Sequence, residues 1–185
     1  HYNPLVVRYD ALCETLNNLL QHVDMSQGAS IKRIMDIPVC YGGSFGPDMK
    51  NVCEHTGLTE EEVIRLHSEP HYQIYMMGFL PGFVYLGGMN EKLETPRLAT
   101  PRERLEAGSV GIAGKQTGMY PLASPGGWQI IGRTPIKPYD HEREKPILYE
   151  SGEYIRFVPI NEERFYEIKK RVENNEYEYK WREEN

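Results

Sequence analysis

The spacing of apolar and polar residues changes along this 185-residue chain. The first part predicts a strand at 5–9 and then a helix that begins at Asp10, a good N-cap, with apolar residues at helical spacing as far as Val23. One strand and one helix cannot bury both of their faces alone. We therefore expect residues 1–28 to be the C-terminal part of a truncated α/β domain. Because the first residue is His1 and not Met, we expect further sequence before it.

An apolar strand at 31–40 is predicted next, followed by two short helices. Pro38 favours an edge or end position for this strand, because proline has no N–H for a ladder. Asp48 is placed to cap the first helix. Thr59 and Glu62 have the spacing of a capping box at the start of the second helix.

From residue 72 onward the pattern becomes one of brief apolar strands between glycine and proline residues. The predicted strands are 72–79, 83–86, 109–113, 128–132, 147–149 and 154–158. Many short strands with this punctuation are typical of a closed or nearly closed β-barrel. The connection at 93–107 is long and is expected to lie over the mouth of the barrel. We predict a mainly β fold with flanking helices, in which residues 29–160 form the barrel and residues 161–185 form a helix, capped by Asn161, and a polar tail.

Composition and charge exclude several classes of function. The net charge is −6 and the basic residues are scattered, so a nucleic-acid partner is not expected. The sequence has no apolar run long enough for a bilayer and no secretory signal, so we expect a soluble, cytoplasmic protein without a membrane partner. The three cysteines are widely spaced and are expected to be reduced. His67 and His71 have the spacing of two metal ligands on one helix, but Pro70 breaks that helix, so no metal site is predicted.

Motifs for nucleotide binding and covalent catalysis are incomplete. Residues 114–117 (Gly-Lys-Gln-Thr) are similar to the end of a P-loop, but Ser109 and Gln116 stand where that motif needs Gly and Ser or Thr. There is no Gly-x-Ser-x-Gly elbow, and the spacing of the carboxylates does not pick out a catalytic pair. We therefore expect no cofactor on this chain alone, and its catalytic residues are not identified.

Two stretches, 77–88 and 124–135, concentrate glycine, proline and aromatic residues. Proline fixes φ, glycine permits close backbone approach, and aromatic rings form stiff apolar walls, so the two stretches together predict a groove; tight turns are the alternative. Arg133 is suited to hold a carboxylate or phosphate, or else to pin a loop carbonyl or an internal acid. The candidate substrate- or partner-binding residues are His67, Tyr75, Phe79, Pro81, Gly82, Phe83, Arg97, Gln116, Tyr120, Pro125, Gly126, Gly127, Trp128 and Arg133.

These stretches belong to longer motifs that resemble the KipI family, also called allophanate hydrolase subunit 1 or the B subunit of the bacterial 5-oxoprolinase. The matching runs are 37–43 (Ile-Pro-Val-Cys-Tyr-Gly-Gly), 45–48, 67–88, 96–102, 108–121 and 124–135. The chain departs from the family pattern at Ser44, Val84 and Leu105-Glu106, and the last of these is expected to loosen the loop over the barrel mouth.

The resemblance implies a cyclophilin-like β-barrel that acts in the ATP-dependent opening of 5-oxo-L-proline to L-glutamate. It implies two partners, the A subunit of 5-oxoprolinase and its C subunit, which is the homologous barrel protein (allophanate hydrolase subunit 2), and it implies ATP and a divalent metal for the complex. Within that complex, we expect this chain to supply one wall of a shared site and to dock the homologous barrel subunit. Arg97 or Arg133 would hold a carboxylate there, and Phe79, Phe83 and Trp128 would form the apolar surround. Two alternatives stay open: a regulator that inhibits a sporulation histidine kinase, and a subunit of the allophanate hydrolase or urea carboxylase type.

Overall fold

The protein divides into two compact units, with the boundary after Ile31. The structure, a computed structural model, describes residues 11–18, 31–78 and 80–184. In the first unit residues 11–18 form a helix, α1, which agrees with the predicted helix over these positions. The predicted strand at 5–9 and the remainder of that helix lie outside the described residues. None of the described helices is both long enough and apolar enough to cross a bilayer.

The second unit is mainly β with flanking helices, as predicted. Its elements are β1 (Lys32–Tyr41), α2 (Met49–Thr56), α3 (Glu60–Ser68), β2 (Tyr72–Met77), β3 (Val84–Gly87), a 3-10 turn (Glu91–Leu93), β4 (Arg102–Leu105), β5 (Ser109–Ala113), β6 (Gln116–Met119), β7 (Ser124–Gly126), β8 (Gln129–Arg133), β9 (Tyr154–Ile160), α4 (Glu162–Glu173) and β10 (Trp181–Glu184).

One sheet runs in the order β3-β2-β9-β1-β8-β5-β6, and β10 adds to β1. The β1/β9 pair is parallel, whereas the other pairs are antiparallel. The two ends of the order, β3 and β6, lie side by side, since a side-chain carbon at Gly118 would be 3.5 Å from the carbonyl oxygen of Val84. The sheet is therefore a nearly closed barrel, and β4 and β7 form a separate two-stranded ribbon beside it.

The main hydrophobic core joins strands β1, β2, β3, β5, β6 and β9 with helix α4. Its fully buried members include Met35, Ile37, Val39, Tyr72, Ile74, Val84, Val110, Met119 and Ile155. A second cluster packs α2 and α3 against β5 and β8, through residues such as Val52, Val63, Ile112 and Ile131. Burying each large aliphatic side chain contributes about 1.5–3 kcal/mol, so these two clusters fix the barrel and its helices as one body.

Local signals place the helices correctly. The Thr59 side chain accepts the Glu62 N–H at 3.3 Å and the Glu62 side chain accepts the Thr59 N–H at 2.9 Å, which is the predicted capping box of α3. The Asn161 side chain caps α4 by accepting the Arg164 N–H at 2.9 Å. At α2, Asp48 occupies the predicted N-cap position, but its side chain makes no capping hydrogen bond.

Pro38 lies in the middle of the sheet, contrary to the predicted edge or end position. One side of β1 pairs with β9, and the other side pairs with β10 at 32–35 and with β8 at 40–41, which leaves a gap opposite Pro38. On the gap side, Asp36 donates its N–H to the Lys180 carbonyl at 3.0 Å. Backbone groups two residues apart in a strand face the same way, so the Pro38 nitrogen also faces the gap. Its missing N–H therefore interrupts no ladder hydrogen bond.

Other differences concern short segments. The predicted strand at 147–149 is reduced to a single bridge between Tyr139 and Ile147. The predicted loop at 93–107 contains β4, and the predicted polar tail contains β10. The strands β4 and β10 each pair with a strand that is distant in sequence, which local patterns do not reveal.

Candidate functional site

Three aromatic rings meet on one side of the barrel, where the two glycine- and proline-rich stretches converge. Phe83, Tyr120 and Trp128 are 7%, 5% and 7% exposed. Their ring centroids are 5.8–5.9 Å apart in all three pairs, and the rings are edge-on to one another at 74–79°. Edge-to-face aromatic pairs are favourable beyond their buried area, so this aromatic triangle forms a rigid apolar floor.

The aromatic triangle is the floor of a cavity of about 580 Å³. This volume lies within the range of small-molecule sites, roughly 300–1,000 Å³. Eight of the predicted binding residues line it: Phe83, Arg97, Gln116, Tyr120, Pro125, Gly126, Gly127 and Trp128. Sequence reasoning missed three further lining residues, Leu80, Tyr85 and Ser124. Leu80 and Tyr85 lie within the first stretch and Ser124 begins the second, so membership of these stretches could have identified them as lining residues.

Glycine is required at position 126 for the cavity to keep its shape. A side-chain carbon there would be 2.4 Å from the Tyr120 hydroxyl oxygen and 2.7 Å from Leu105 Cδ1, both too close for real contacts. At Gly118 the corresponding carbon would already be 3.4 Å from the Trp128 ring. The backbone therefore approaches the aromatic rings directly, and at Gly126 this is the close approach that the glycines of the second stretch predict.

Polar groups stand around the apolar floor. Arg97 and Gln116 are exposed at the cavity, and the Ser124 hydroxyl is buried with no hydrogen-bond partner among the described residues. Burial raises the pKa of the Tyr120 hydroxyl, while the Arg97 charge and the Trp128 backbone act to lower it. Tyr120 is therefore a neutral hydrogen-bonding group at physiological pH, and Arg97 provides the positive charge. This arrangement is suited to a small anion with a compact body.

The segment that carries Arg97 is held on both sides of that residue. The Leu98 N–H donates to the Gly127 carbonyl at 2.7 Å, and the Gln129 side-chain amide donates to the Pro96 carbonyl at 3.0 Å. Leu105, expected to loosen this loop, is instead buried and pairs with Ser124 in the β4/β7 ribbon. Arg97 is thus presented by a fixed segment of backbone.

Asp48 anchors the ribbon to the barrel, a role that sequence reasoning missed. Its carboxylate is buried, accepts the Ile130 N–H at 2.7 Å and pairs with Arg102 of β4 at 2.6 Å. The Asp48 N–H also donates to the Ile130 carbonyl at 2.9 Å. These contacts join the start of α2, strand β8 and the ribbon, so Asp48 indirectly supports the wall of the cavity.

His67, a predicted binding residue, is instead a fully buried core residue. The Thr117 hydroxyl donates to the Gly111 carbonyl at 3.0 Å, so His67 Nε2, 2.7 Å from that hydroxyl oxygen, must donate to it. His67 Nδ1 then accepts from the Tyr41 hydroxyl at 2.8 Å. Burial lowers the pKa of His67 to about 3, in keeping with this neutral tautomer.

The remaining predicted residues lie outside the cavity. The Tyr75 ring is 65% exposed and lies against Gly87 of the neighbouring strand. The Gly82 carbonyl accepts the Tyr149 hydroxyl at 2.7 Å, and Pro81 is exposed beside it; neither lines the cavity. Arg133 lines a separate groove. Phe79 lies outside the described residues.

The described residues contain neither a P-loop at 114–117 nor a convergent set of metal ligands. Residues 114–117 are similar to the end of a P-loop, but 114–115 form the turn between β5 and β6 and 116–117 begin β6. The Lys115 side chain lies 3.8 Å from the Glu94 carboxylate. Within the described ranges, no three His, Cys, Asp or Glu side chains converge in a way that could hold a metal ion. We therefore assign no nucleotide or metal step to these residues.

Comparison with known proteins gives a family match over most of the chain. Residues 1–149 match the family model described as carboxyltransferase domain, subdomain C and D. The chain is 48% identical over 138 residues to the B subunit of 5-oxoprolinase from Bacillus subtilis, covering 75% of this chain and 58% of that protein. It is 53% identical over 130 residues to the B subunit of 5-oxoprolinase from Escherichia coli O157:H7, covering 70% of this chain and 60% of that protein. The matched region thus spans about three fifths of each of these relatives.

Solved structures confirm the fold. A conserved uncharacterized protein from Pyrococcus horikoshii superposes with a TM-score of 0.69 at 47% identity, over 89% of this chain and 74% of that chain. The urea carboxylase of Kluyveromyces lactis superposes with a TM-score of 0.74 over 95% of this chain and 18% of that chain. At 18% identity, this second likeness bears on the fold alone.

Proposed function

Because the chain belongs to the carboxyltransferase subdomain C and D family and, within it, to the group of 5-oxoprolinase B subunits, we propose that it serves in a 5-oxoprolinase. The proposed reaction is the ATP-dependent hydrolysis of 5-oxo-L-proline to L-glutamate. The proposed role of this chain is to supply one wall of the substrate site and to dock the homologous barrel subunit. The observation that carries this proposal is the cavity that combines the aromatic triangle with Arg97.

The chemistry of 5-oxoproline matches the groups around the cavity. The substrate is a flat five-membered ring with one carboxylate and one ring amide. We propose that Arg97 binds the carboxylate through charge-assisted hydrogen bonds and that the ring lies against Phe83 and Trp128. Gln116 and Ser124 offer hydrogen-bonding groups to the ring amide. Opening the amide yields the second carboxylate of glutamate, so a site that tolerates additional negative charge is required.

The proposed role is binding and orientation, and the chemical step needs partner subunits. Because the described residues contain neither a P-loop at 114–117 nor a cluster of metal ligands, we propose that ATP and its divalent metal bind to one of the two partners, the A subunit or the homologous barrel protein. Arg97 and Gln116 are exposed at the cavity, and we propose that the barrel partner covers them. Covering the cavity would exclude water and strengthen the pairing between Arg97 and the substrate carboxylate.

The test is an Arg97→Ala substitution in the reconstituted complex of this chain with the A and C subunits. Loss of one charged hydrogen-bonding partner costs about 1.5–3 kcal/mol, so KM for 5-oxoproline should rise about tenfold or more. The control is Arg65→Ala, since Arg65 is an exposed arginine of α3 whose one ion pair with a described residue is with Glu69, at 3.4 Å. The control should leave KM unchanged, and both variants should copurify with the two partner subunits. An unchanged KM in Arg97→Ala would show that Arg97 does not bind the carboxylate.

A further inference from the structure

Arg133 lines a second groove that the proposed function does not use. The groove has a volume of about 310 Å³ and lies between the end of β8 and helix α4. Its apolar walls include Phe45, Pro135 and Phe165, and the rings of Phe45 and Phe165 are 4.6 Å apart. Phe45 and Phe165 are 7% and 4% exposed, so the groove offers the edges of these two rings next to one guanidinium, within an otherwise largely polar lining.

The position of Arg133 is fixed by the fold. Its backbone pairs with Cys40 of β1 on one side and with Ser109 of β5 on the other. Its side-chain stem lies close to Gly108, where an added side-chain carbon would be 3.5 Å from Arg133 Cγ. A guanidinium that is held in place before a ligand arrives loses less conformational entropy on binding.

The guanidinium of Arg133 has no partner among the residues that the structure describes. Its Nε is buried without a hydrogen bond, and among the described residues no carboxylate or carbonyl accepts from its terminal nitrogens. A polar group that is removed from water without a partner lowers stability, and such groups are rare in folded proteins. Within the described part of the chain, packing directs this guanidinium, and its terminal nitrogens are available to bind an anion.

The other charges around the groove are already paired. Lys169 lies 3.9 Å from Glu173, Lys137 lies 3.7 Å from Asp140, and the Glu106 carboxylate lies 3.4 Å from Arg104. The two carboxylates that line the groove, Glu106 and Glu173, thus have their own cations. Among the described lining residues, Arg133 is the cation that lacks a counter-ion.

We propose that this groove is a second anion site, for a small carboxylate with an apolar body. The two carboxylate oxygens pair end-on with the terminal nitrogens of Arg133, and the apolar body lies against Phe45 and Phe165. A carboxylate matches the planar guanidinium in a bidentate geometry. The volume is at the lower end of that of small-molecule sites, which fits a ligand about the size of one aromatic ring. The site is separate from the Arg97 cavity and does not depend on the identity of the substrate there.

The test is a titration of the full chain with benzoate, followed by the Nε–H signals of the arginines in ¹H–¹⁵N NMR spectra. Benzamide, which has the same shape without the charge, and inorganic phosphate are titrated in parallel. The Arg133 signal, assigned by its absence in Arg133→Lys, should shift in a saturable way with benzoate and not with benzamide. Arg133→Gln should weaken benzoate binding at least tenfold, whereas the control Arg65→Gln should leave it within twofold.

Three results would overturn the proposal. The first is an Arg133 signal that does not saturate with benzoate in the wild-type chain, which is decisive whether or not the variants fold. The second is benzoate binding of equal strength in Arg133→Gln and wild type. The third is saturable binding of phosphate without binding of benzoate, because the site would then select a tetrahedral anion instead of a carboxylate.

Discussion

Replacing Asp48 by alanine should strongly destabilise the protein and release the β4/β7 ribbon. The Asp48 side chain is 4% exposed, and its carboxylate accepts the Ile130 N–H at 2.7 Å and an N–H of Arg102 Nη2 at 2.6 Å. Without it the buried Ile130 N–H has no acceptor, which costs about 1–3 kcal/mol. Arg102, whose Nη1 is buried with no partner in the described ranges, also loses its counter-ion.

Breaking a buried ion pair costs about 3–5 kcal/mol. The Arg102 side chain is 33% exposed, so solvent screens part of its charge and we expect a loss near the lower limit, about 3 kcal/mol. Asp48→Asn keeps an oxygen for the Ile130 N–H and loses only the charge, so its expected loss is about 1–2 kcal/mol. Asp48→Ala should therefore lose more free energy of unfolding than Asp48→Asn.

The assay is equilibrium unfolding in urea at pH 7, which gives the free energy of unfolding for each variant. The control is Glu94→Ala, which removes an exposed carboxylate 3.8 Å from Lys115 and should cost less than about 1 kcal/mol. A loss below about 1 kcal/mol in Asp48→Ala would refute the anchoring role. So would an equal loss in Asp48→Ala and Asp48→Asn, because the Ile130 hydrogen bond would then contribute nothing.

Two further predictions concern the shape of the cavity wall at Gly126 and the neutral state of buried His67. Gly126→Ala should lower the free energy of unfolding by about 1–3 kcal/mol and raise KM for 5-oxoproline, because the new carbon would lie 2.4 Å from the Tyr120 hydroxyl oxygen. The control is Gly127→Ala, whose new carbon would lie 3.6 Å from its nearest neighbour. It should change the free energy of unfolding by less than about 0.5 kcal/mol. Folded His67 stays neutral down to its pKa of about 3, whereas in the unfolded chain its pKa is about 6.5, so stability falls as pH drops below 6.5. Between pH 7 and pH 5 the wild type should therefore lose about 2 kcal/mol more than His67→Gln in urea unfolding, and equal losses would contradict the buried neutral state.

The parts of the fold that follow from neighbouring residues were predictable from the sequence. The capping box of Thr59 and Glu62 and the Asn161 cap each depend on residues within one helical turn, and the structure has both. The strand at 109–113 is apolar and bounded by glycine, and it was placed correctly. In contrast, β10 is charged and polar, and only its pairing with β1 makes it a strand.

The candidate site was predictable in composition but not in its contacts. The aromatic and glycine residues of the two stretches do line one cavity, because both stretches end up on the same side of the barrel. The position of Asp48 directly before a helix favours a cap, and its true partner Arg102 lies 54 residues away. Arg97 and Arg133 were equivalent carboxylate-binding candidates in the sequence. The strand pairing places Arg97 at the cavity and Arg133 at the separate groove.

The decisive measurement for the proposed function is 5-oxoproline-dependent ATP hydrolysis by the purified A and C subunits, with and without this chain. Formation of ADP and glutamate should require all three chains and stop when this chain is omitted. Restoring the chain as Arg97→Ala should restore turnover only at a higher 5-oxoproline concentration. Full turnover by the two partner subunits alone would contradict a substrate-binding role, as would failure of this chain to copurify with the homologous barrel protein.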